Sequence, residues 1–462
     1  MEILKNISAL EWTSGLGLLC MLFEVANLRK LVWPLCIVGL MAIFGLNLAS
    51  WGVNASFYHN MVVINNFSVA FSGLLILLAL FIVILSGNFY KNEEAKISDY
   101  LAIIIFTLCG ALALVSFGNM AMFFLGIEVL SISLYVLAGS RKKDVRSNEA
   151  GMKYFLMGSF ASGLLLFGIT LVYGETGSFD LAEIARMKAL APPSVLFYMG
   201  AGLIMTALFF KVSAVPFHFW APDVYDGSPT LITLIMATIA KIAAFAAFYR
   251  IFSLCLISSV PLYGLIFAVV TALTIGVGNF TALNQDSFKR MLAFSGISHA
   301  GYLMMGILSL TGKTDNAIFF YSLAYGISSV AAFAVAIVVA INTGTDKIES
   351  FNGLAKRKPF VAAALTIAML SMAGIPPFAG FFAKYYIFTE AIKNGHLWIT
   401  VWAVINSIVA VYYYFKVILA MYTKDSDQVV FNIKPAYTFV IGICIVLVIL
   451  LGLLPSAFAN LL

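Results

Sequence analysis

The chain has 462 residues, 62% of them hydrophobic and 10% charged, with a mean hydropathy of +1.01; soluble domains carry about 25% charged residues, so a water-soluble enzyme or binding module is excluded and an all-α polytopic membrane protein is expected. The net charge of +6 does not require an anionic partner such as nucleic acid, because basic loops on one side of a membrane account for it. Cys20, Cys36, Cys109, Cys255 and Cys444 fall one per apolar segment without a CxxC pair, and no GxGxxG or P-loop pattern occurs, which speaks against metal, iron–sulfur, disulfide and nucleotide roles.

The opening MEILKNISALEW lacks a signal-peptide cleavage pattern, so the first apolar run is expected to stay as a helix. Windows of about 19 residues place fourteen helices at 9–28, 31–50, 63–88, 98–117, 119–139, 150–174, 196–219, 229–252, 257–284, 291–310, 316–342, 360–391, 397–422 and 436–459. Between the sixth and seventh, FDLAEIARMKAL repeats Leu181, Ile184 and Met187 at helical spacing, which predicts a short interfacial amphipathic helix near 179–190.

Two of these helices are interrupted alike, by SAVPFHFW around Pro216 and by AGIPPFAGFF around Pro376 and Pro377, 160 residues later. An interior proline removes a backbone donor and clashes one turn back. Lipid does not tolerate the groups so freed, so both breaks must face protein or a watery cavity. Each falls in the fourth helix of a five-helix block. The expected organisation is therefore helices 1–3 (1–97), a first repeat of helices 4–8 (98–252), a second, inverted repeat of helices 9–13 (253–424) and helix 14 (425–462). Inverted repeats with broken helices are typical of transporters.

Charge sets the orientation. One set of connections holds sixteen lysines and arginines, including Lys91, Lys96, Arg141, Lys142, Lys143, Lys289 and Arg290, whereas the other holds six: Lys5, Arg186, Lys188, Arg250, Lys313 and Lys393. The first set is expected on the cytoplasmic side, with both termini outside.

Glu128, Lys211, Lys241 and Lys384 lie within apolar runs. At about 2.5–3.5 kcal/mol per mid-helix charge, the four oppose insertion by roughly 10–14 kcal/mol before partners are counted. One glutamate cannot pair with three lysines. Burial disfavours a charged lysine and a nearby carboxylate favours it, so a Glu128 facing Lys211 would control whether that lysine holds its proton. His218 and His299 are candidate relay groups, with Thr230, Thr233, Ser295, Ser298 and Tyr302 able to carry hydrogen bonds; the competing reading is a neutral histidine bonded to a carbonyl. Lys153 lies near a helix end, where snorkelling would also explain it.

PFHFWAPDVYDGSPT (216–230), FFLGIEVLSISLYVL, QDSFKRMLAFSGISHAGYL and LSMAGIPPFAGFFAKYYIF occur in this order and resemble the antiporter-like proton-pumping subunits of respiratory complex I over nearly the whole chain. The resemblance implies that Glu128 is the acid coupling to the neighbouring subunit, Lys211 its partner, Lys241 the central relay lysine, Lys384 the lysine near the outward exit, and Lys153 a further lysine of the sixth helix. It implies a bacterial inner membrane as the location. The expected partners are the lipid bilayer and other membrane and peripheral subunits, especially neighbouring antiporter-like and small membrane subunits. NADH, FMN, iron–sulfur clusters and quinone are expected in those subunits and none in this chain. The stop at Leu462, without a long lateral helix, resembles the shorter members. A subunit of a sodium/proton antiporter or membrane-bound hydrogenase is the alternative, and a non-pumping scaffold the third reading.

Overall fold

In the computed structural model, which describes residues 8–90, 97–190, 192–310, 313–425, 431–459 and 461–462, all fourteen expected apolar runs are helical. The order is α1 (Ala9–Val25), α2 (Arg29–Ala49), β1 (Ala55–Phe57), β2 (Val62–Ile64), α3 (Asn66–Phe89), α4 (Ile97–Ser116), α5 (Met120–Ala138), α6 (Val145–Thr176), α7 (Leu181–Leu190), α8 (Val195–Val212) and α9 (Trp220–Gly227). Then come α10 (Thr230–Leu254), α11 (Val260–Ala282), α12 (Phe288–Ser309), α13 (Thr314–Thr343), α14 (Leu354–Arg357), α15 (Pro359–Ala373), α16 (Ala379–Lys393), α17 (Leu397–Thr423), α18 (Pro435–Leu453) and α19 (Pro455–Ala459). Among the described residues, 12 helices are long and apolar enough to cross a membrane. The 17-residue α1 and the two 15-residue halves α15 and α16 supply the remaining expected segments. The chain is a multi-pass, all-α membrane protein.

Polar caps move helix ends away from where hydropathy places them. The third helix was expected from 63, yet Val62–Ile64 forms a strand paired antiparallel with Ala55–Phe57, Ala55 opposite Ile64; β-branched residues suit a pleated surface. The helix starts after Asn65, whose side chain accepts the Ser68 N–H at 2.9 Å while Ser68 Oγ accepts the Asn65 N–H at 2.9 Å, a reciprocal cap. Likewise α6 begins at Val145 rather than 150, because Asp144 accepts the Arg146 N–H at 3.0 Å; a polar first turn is invisible to hydropathy. The seventh helix, expected to reach 219, ends at Val212.

The expected amphipathic helix is α7, capped by Asp180 Oδ1, which accepts the N–H groups of Ala182 (2.9 Å) and Glu183 (3.0 Å). Its Leu181 and Ile184 are buried against protein. Packing of α1 on α2 brings Cys20 Sγ within 3.3 Å of Cys36 Sγ. Every residue of the most apolar window of α10 is buried (100%), against 28% in α2. Because α3, α4, α8, α12 and α13 all pack on it, α10 is an axis of the bundle and places Lys241 at its centre. Lys5, Lys91 and Lys96 of the charge count lie outside the described residues. Arg250 was expected in a connection; it is instead inside α10 and only 6% exposed.

Candidate functional site

Helix α8 stops where Ser213 takes a left-handed conformation (φ 62°) and Pro216, in a cis peptide with Val215, follows. Two donors of this break find partners inside the protein: the Val215 N–H donates to Thr274 Oγ1 at 3.0 Å and Trp220 Nε1–H to the Phe210 carbonyl at 3.1 Å. Lys211 sits in the last turn of α8, where the carbonyl end of the helix favours a cation. Its Nζ donates to Ser131 Oγ of α5 at 2.5 Å. Ser131 follows Glu128 by three residues and so shares its helix face. Glu128 in turn accepts a hydrogen bond from Ser162 Oγ of α6. The direct Glu128–Lys211 ion pair expected from the sequence does not form among the described residues. The two charges are held by separate hydroxyls beside a 10 Å³ cavity lined by Ser131, Tyr135, Ser162 and Lys211, a space about the size of one water molecule.

Lys241 follows a π-helical turn, Met236–Ala240, and donates from Nζ to the Gly296 carbonyl of α12 at 2.8 Å. A Cβ at residue 296 would lie 2.8 Å from that Nζ, so only glycine lets the ammonium come so close. Lys241 is 4% exposed and Lys384 6%.

At the second break, α15 ends at Ala373, Gly374 takes φ 87° and the Pro376–Pro377 peptide is cis. Lys384 reaches back from α16 and donates to the Ala373 carbonyl at 2.8 Å. This resolves an asymmetry of the sequence, in which Lys211 precedes its proline by five residues and Lys384 follows Pro376 by eight. Both lysines stand at the carbonyl end of the half-helix that precedes the break, one from within it and one from across it.

His299 of α12 lies in a cluster of buried tyrosines. Its Nδ1 is 2.7 Å from Tyr321 OH and its Nε2 3.1 Å from Tyr414 OH, which is 2.5 Å from Ser295 Oγ. The Tyr325 ring packs against that of His299 in a tilted arrangement, 4.8 Å between ring centroids. Tyr302 takes hydrogen bonds from Asn279 Nδ2 (3.3 Å) and Ser407 Oγ (3.2 Å), and Lys384 Nζ lies 4.9 Å from its ring centroid. His218 stands apart: it is buried, packs against the tilted ring of Phe219, and its Nδ1 has no hydrogen-bond partner among the described residues.

Residues 118–410 match the family described as "NADH:quinone oxidoreductase/Mrp antiporter, TM". A protein of Flavobacterium psychrophilum named NADH-quinone oxidoreductase subunit N is 48% identical over 456 residues, covering 99% of this chain and 100% of the relative. The subunit N of Flavobacterium johnsoniae is 49% identical, covering 97% and 98%. The chain belongs to the NADH-quinone oxidoreductase subunit N family. Its fold superimposes with a TM-score of 0.85 and 31% identity on a chain of respiratory complex I from Thermus thermophilus, covering 98% of each. The matched region contains Glu128, Lys153, Lys211, His218, Lys241, His299 and Lys384.

Lys153 lies outside the buried line. It is 43% exposed and pairs with Glu149 (2.7 Å) and Asp223 (3.1 Å), and Asp223 also takes Arg290 at 2.9 Å. Next to it, Ser287 Oγ donates to Asp226 Oδ1 at 2.8 Å, and Lys289 donates to the Asp226 carbonyl at 2.6 Å. The PDVYDGSP segment after the first break is thereby clamped to the start of α12, with Thr230 at the edge of a 370 Å³ cleft that also takes in Arg141, Asp226, Lys289 and Asp346. Sequence reading missed Ser131, Ser162, Tyr321, Tyr325, Tyr414, Asn279 and Ser407. Serines and tyrosines in apolar helices look like packing residues until a partner is known. The run YYYFK at 412–416 was the one available hint. Among the described residues, no three His, Cys, Asp or Glu side chains converge as a metal site would require.

Proposed function

We propose that this chain is the antiporter-like, proton-translocating membrane subunit of an NADH:quinone oxidoreductase, and that it moves protons through Glu128, Lys211, Lys241 and Lys384, driven by quinone reduction elsewhere in the complex. The observation that carries this reading is the row of buried lysines, each donating to an uncharged oxygen (Ser131 Oγ, the Gly296 carbonyl, the Ala373 carbonyl), in a chain alike over its full length to subunit N proteins. An ammonium held by neutral acceptors and not by carboxylates is free to exchange its proton as the local field changes. A change in charge near Glu128 alters the field at Lys211 through Ser131 and Ser162. Lys211 passes its proton to Lys241. His299 and its tyrosines carry it on to Lys384 and the outside.

In this reading the chain sits in the bacterial inner membrane with both termini outside, is organised as the inverted repeats 98–252 and 253–424, and packs against other membrane and peripheral subunits that hold NADH, FMN, the iron–sulfur clusters and quinone. His218 and Lys153 belong to its periphery. A tagged chain drawn from membranes in mild detergent should bring flavin and NADH-oxidising activity with it. Recovery of sodium/proton exchange without either would transfer the chain to the second reading, an antiporter subunit, which the family description also covers.

Two smaller effects follow. Ser131→Ala removes the acceptor that holds Lys211 and is expected to lower the number of protons moved per NADH while assembly and NADH oxidation by the peripheral centres persist; an unaltered stoichiometry in reconstituted vesicles would remove Ser131 from the coupling. Lys153→Ala breaks pairs with half-exposed acids, and such pairs contribute little. Pumping is expected to fall much less than for loss of Lys241, and an equal fall in the same vesicle assay would move Lys153 into the relay.

A further inference from the structure

The best-buried arginine of the chain forms no ion pair among the described residues. Arg250 lies nine residues after Lys241 on α10, about 13 Å further along the axis at 1.5 Å per residue, and is 6% exposed. Its Nε–H donates to the Phe117 carbonyl at 2.6 Å, and its guanidinium lies 5.6 Å from the Phe117 ring centroid and 6.0 Å from that of Phe67. No ion pair compensates it among the described residues. The carbonyl takes the Nε edge of the group, which lies over the faces of the two rings. Its two Nη groups donate to no described protein atom and are not closed off, and Arg250 lines a 600 Å³ cleft with Asn60, Phe67, Leu181, Tyr249 and Asp315.

The cleft opens at the end of the bundle that carries the β-hairpin and α7. The hairpin turn (Asn60), the first turn of α3 (Phe67), α7 (Leu181) and the first turn of α13 (Asp315) form its walls. Asp315 is the only acid among the described residues that line it, and one carboxylate oxygen already accepts the Asn316 N–H at 2.8 Å. A buried guanidinium without a counter-charge is unfavourable, and its free edge offers the planar pair of donors that fits an oxyanion in bidentate fashion.

We propose that this cleft is an oxyanion site in which Arg250 holds a phosphate-type group, supplied by an anionic phospholipid headgroup at the rim of the bundle or by free phosphate. The site is separate from the lysine row, which it faces only along α10. With Arg250 neutralised in this way, the positive charge nearest Lys241 along α10 on that side is screened.

The test uses the complex that copurifies with the tagged chain, stripped of endogenous lipid by detergent exchange. Dioleoylphosphatidylglycerol and inorganic phosphate are then titrated in separately, with bound lipid read by native mass spectrometry of the released subunit and bound phosphate by 31P NMR. The wild type should take up one anion per chain that Arg250→Gln binds roughly tenfold or more weakly, the ratio expected for loss of a charge-assisted hydrogen bond. Asp315→Asn should bind it more tightly, because it removes the like charge from the cleft. Uptake of the lipid alone assigns the source to the bilayer, and competition between the two ligands assigns it to phosphate generally. Equal binding by wild type and Arg250→Gln, or no binding by the wild type, overturns the proposal. Should Arg250→Gln fail to assemble, Asp315→Asn decides it, and unchanged affinity there overturns it as well.

Discussion

A Lys241→Ala complex is expected to assemble, to keep its NADH-oxidising centres and to lose at least about tenfold in coupled proton pumping, equivalent to a barrier raised by roughly 1.4 kcal/mol or more. Lys241 is buried in the most enclosed helix of the chain and its Nζ contacts one carbonyl, that of Gly296. Its removal leaves that carbonyl without its donor, a structural cost on the order of 1–3 kcal/mol, so lost pumping by itself would not separate chemistry from damage. Lys241→Arg makes the separation. Arginine keeps the charge and the donor but does not release its proton at accessible pH, so it should preserve assembly better than alanine and pump no better. A Lys241→Arg complex with wild-type protons per NADH in vesicles would sink the relay.

Gly380→Ala is expected to have the largest effect on folding of the glycine-to-alanine changes whose surroundings are described. A Cβ at residue 380 would stand 1.8 Å from the Ser371 carbonyl oxygen, which is backbone and has no room to give. The two halves of the second broken helix meet at this point. The Gly380 N–H donates to Ser371 Oγ at 3.2 Å, and Ser371 Oγ also accepts from Ser328 at 3.0 Å. Forcing α16 away from α15 would carry Lys384 off the Ala373 carbonyl that it reaches across the break. The cost should exceed the ~1–3 kcal/mol usual for an overpacked core, seen as loss of folded chain in fluorescence-detected size exclusion and in thermal melts. Gly163→Ala in α6 is the control, because nothing lies within 4 Å of its added carbon. If the two variants melt alike, the tight contact at the break is not what holds the two half-helices together.

The parts of the site that were legible in the sequence are those that depend on a residue's own chemistry. A lysine in an apolar run announces itself by its desolvation cost, and a proline by its missing donor, so Lys211, Lys241, Lys384, Pro216 and Pro376 could be picked out singly. The family motifs supplied their order along a path. Their partners could not be read in this way. Ser131 and Ser162 are two of many serines in apolar helices, and they matter because α5, α6 and α8 converge where Lys211 and Glu128 lie. Tyr414 is 115 residues from His299 in sequence and 3.1 Å from it in space. Arg250 was counted with the connections because it lies two residues from the expected end of its helix at 252. Only the packing of Phe67 and Phe117 around it shows that the protein encloses it.

By itself the sequence determined that the chain is a multi-pass membrane protein, where its apolar segments lie, where two of its helices break and which four charges sit within them. Each of these follows from hydropathy or backbone chemistry summed over a short window. The tertiary structure decided that Glu128 and Lys211 are held by separate serines and not by each other, that Lys384 returns to the carbonyl end of the helix before its break, and that Arg250 is buried without an acid. A hydrogen bond depends on separations of about 3 Å between groups that the chain brings together from distant segments, and no local property of either group encodes that distance.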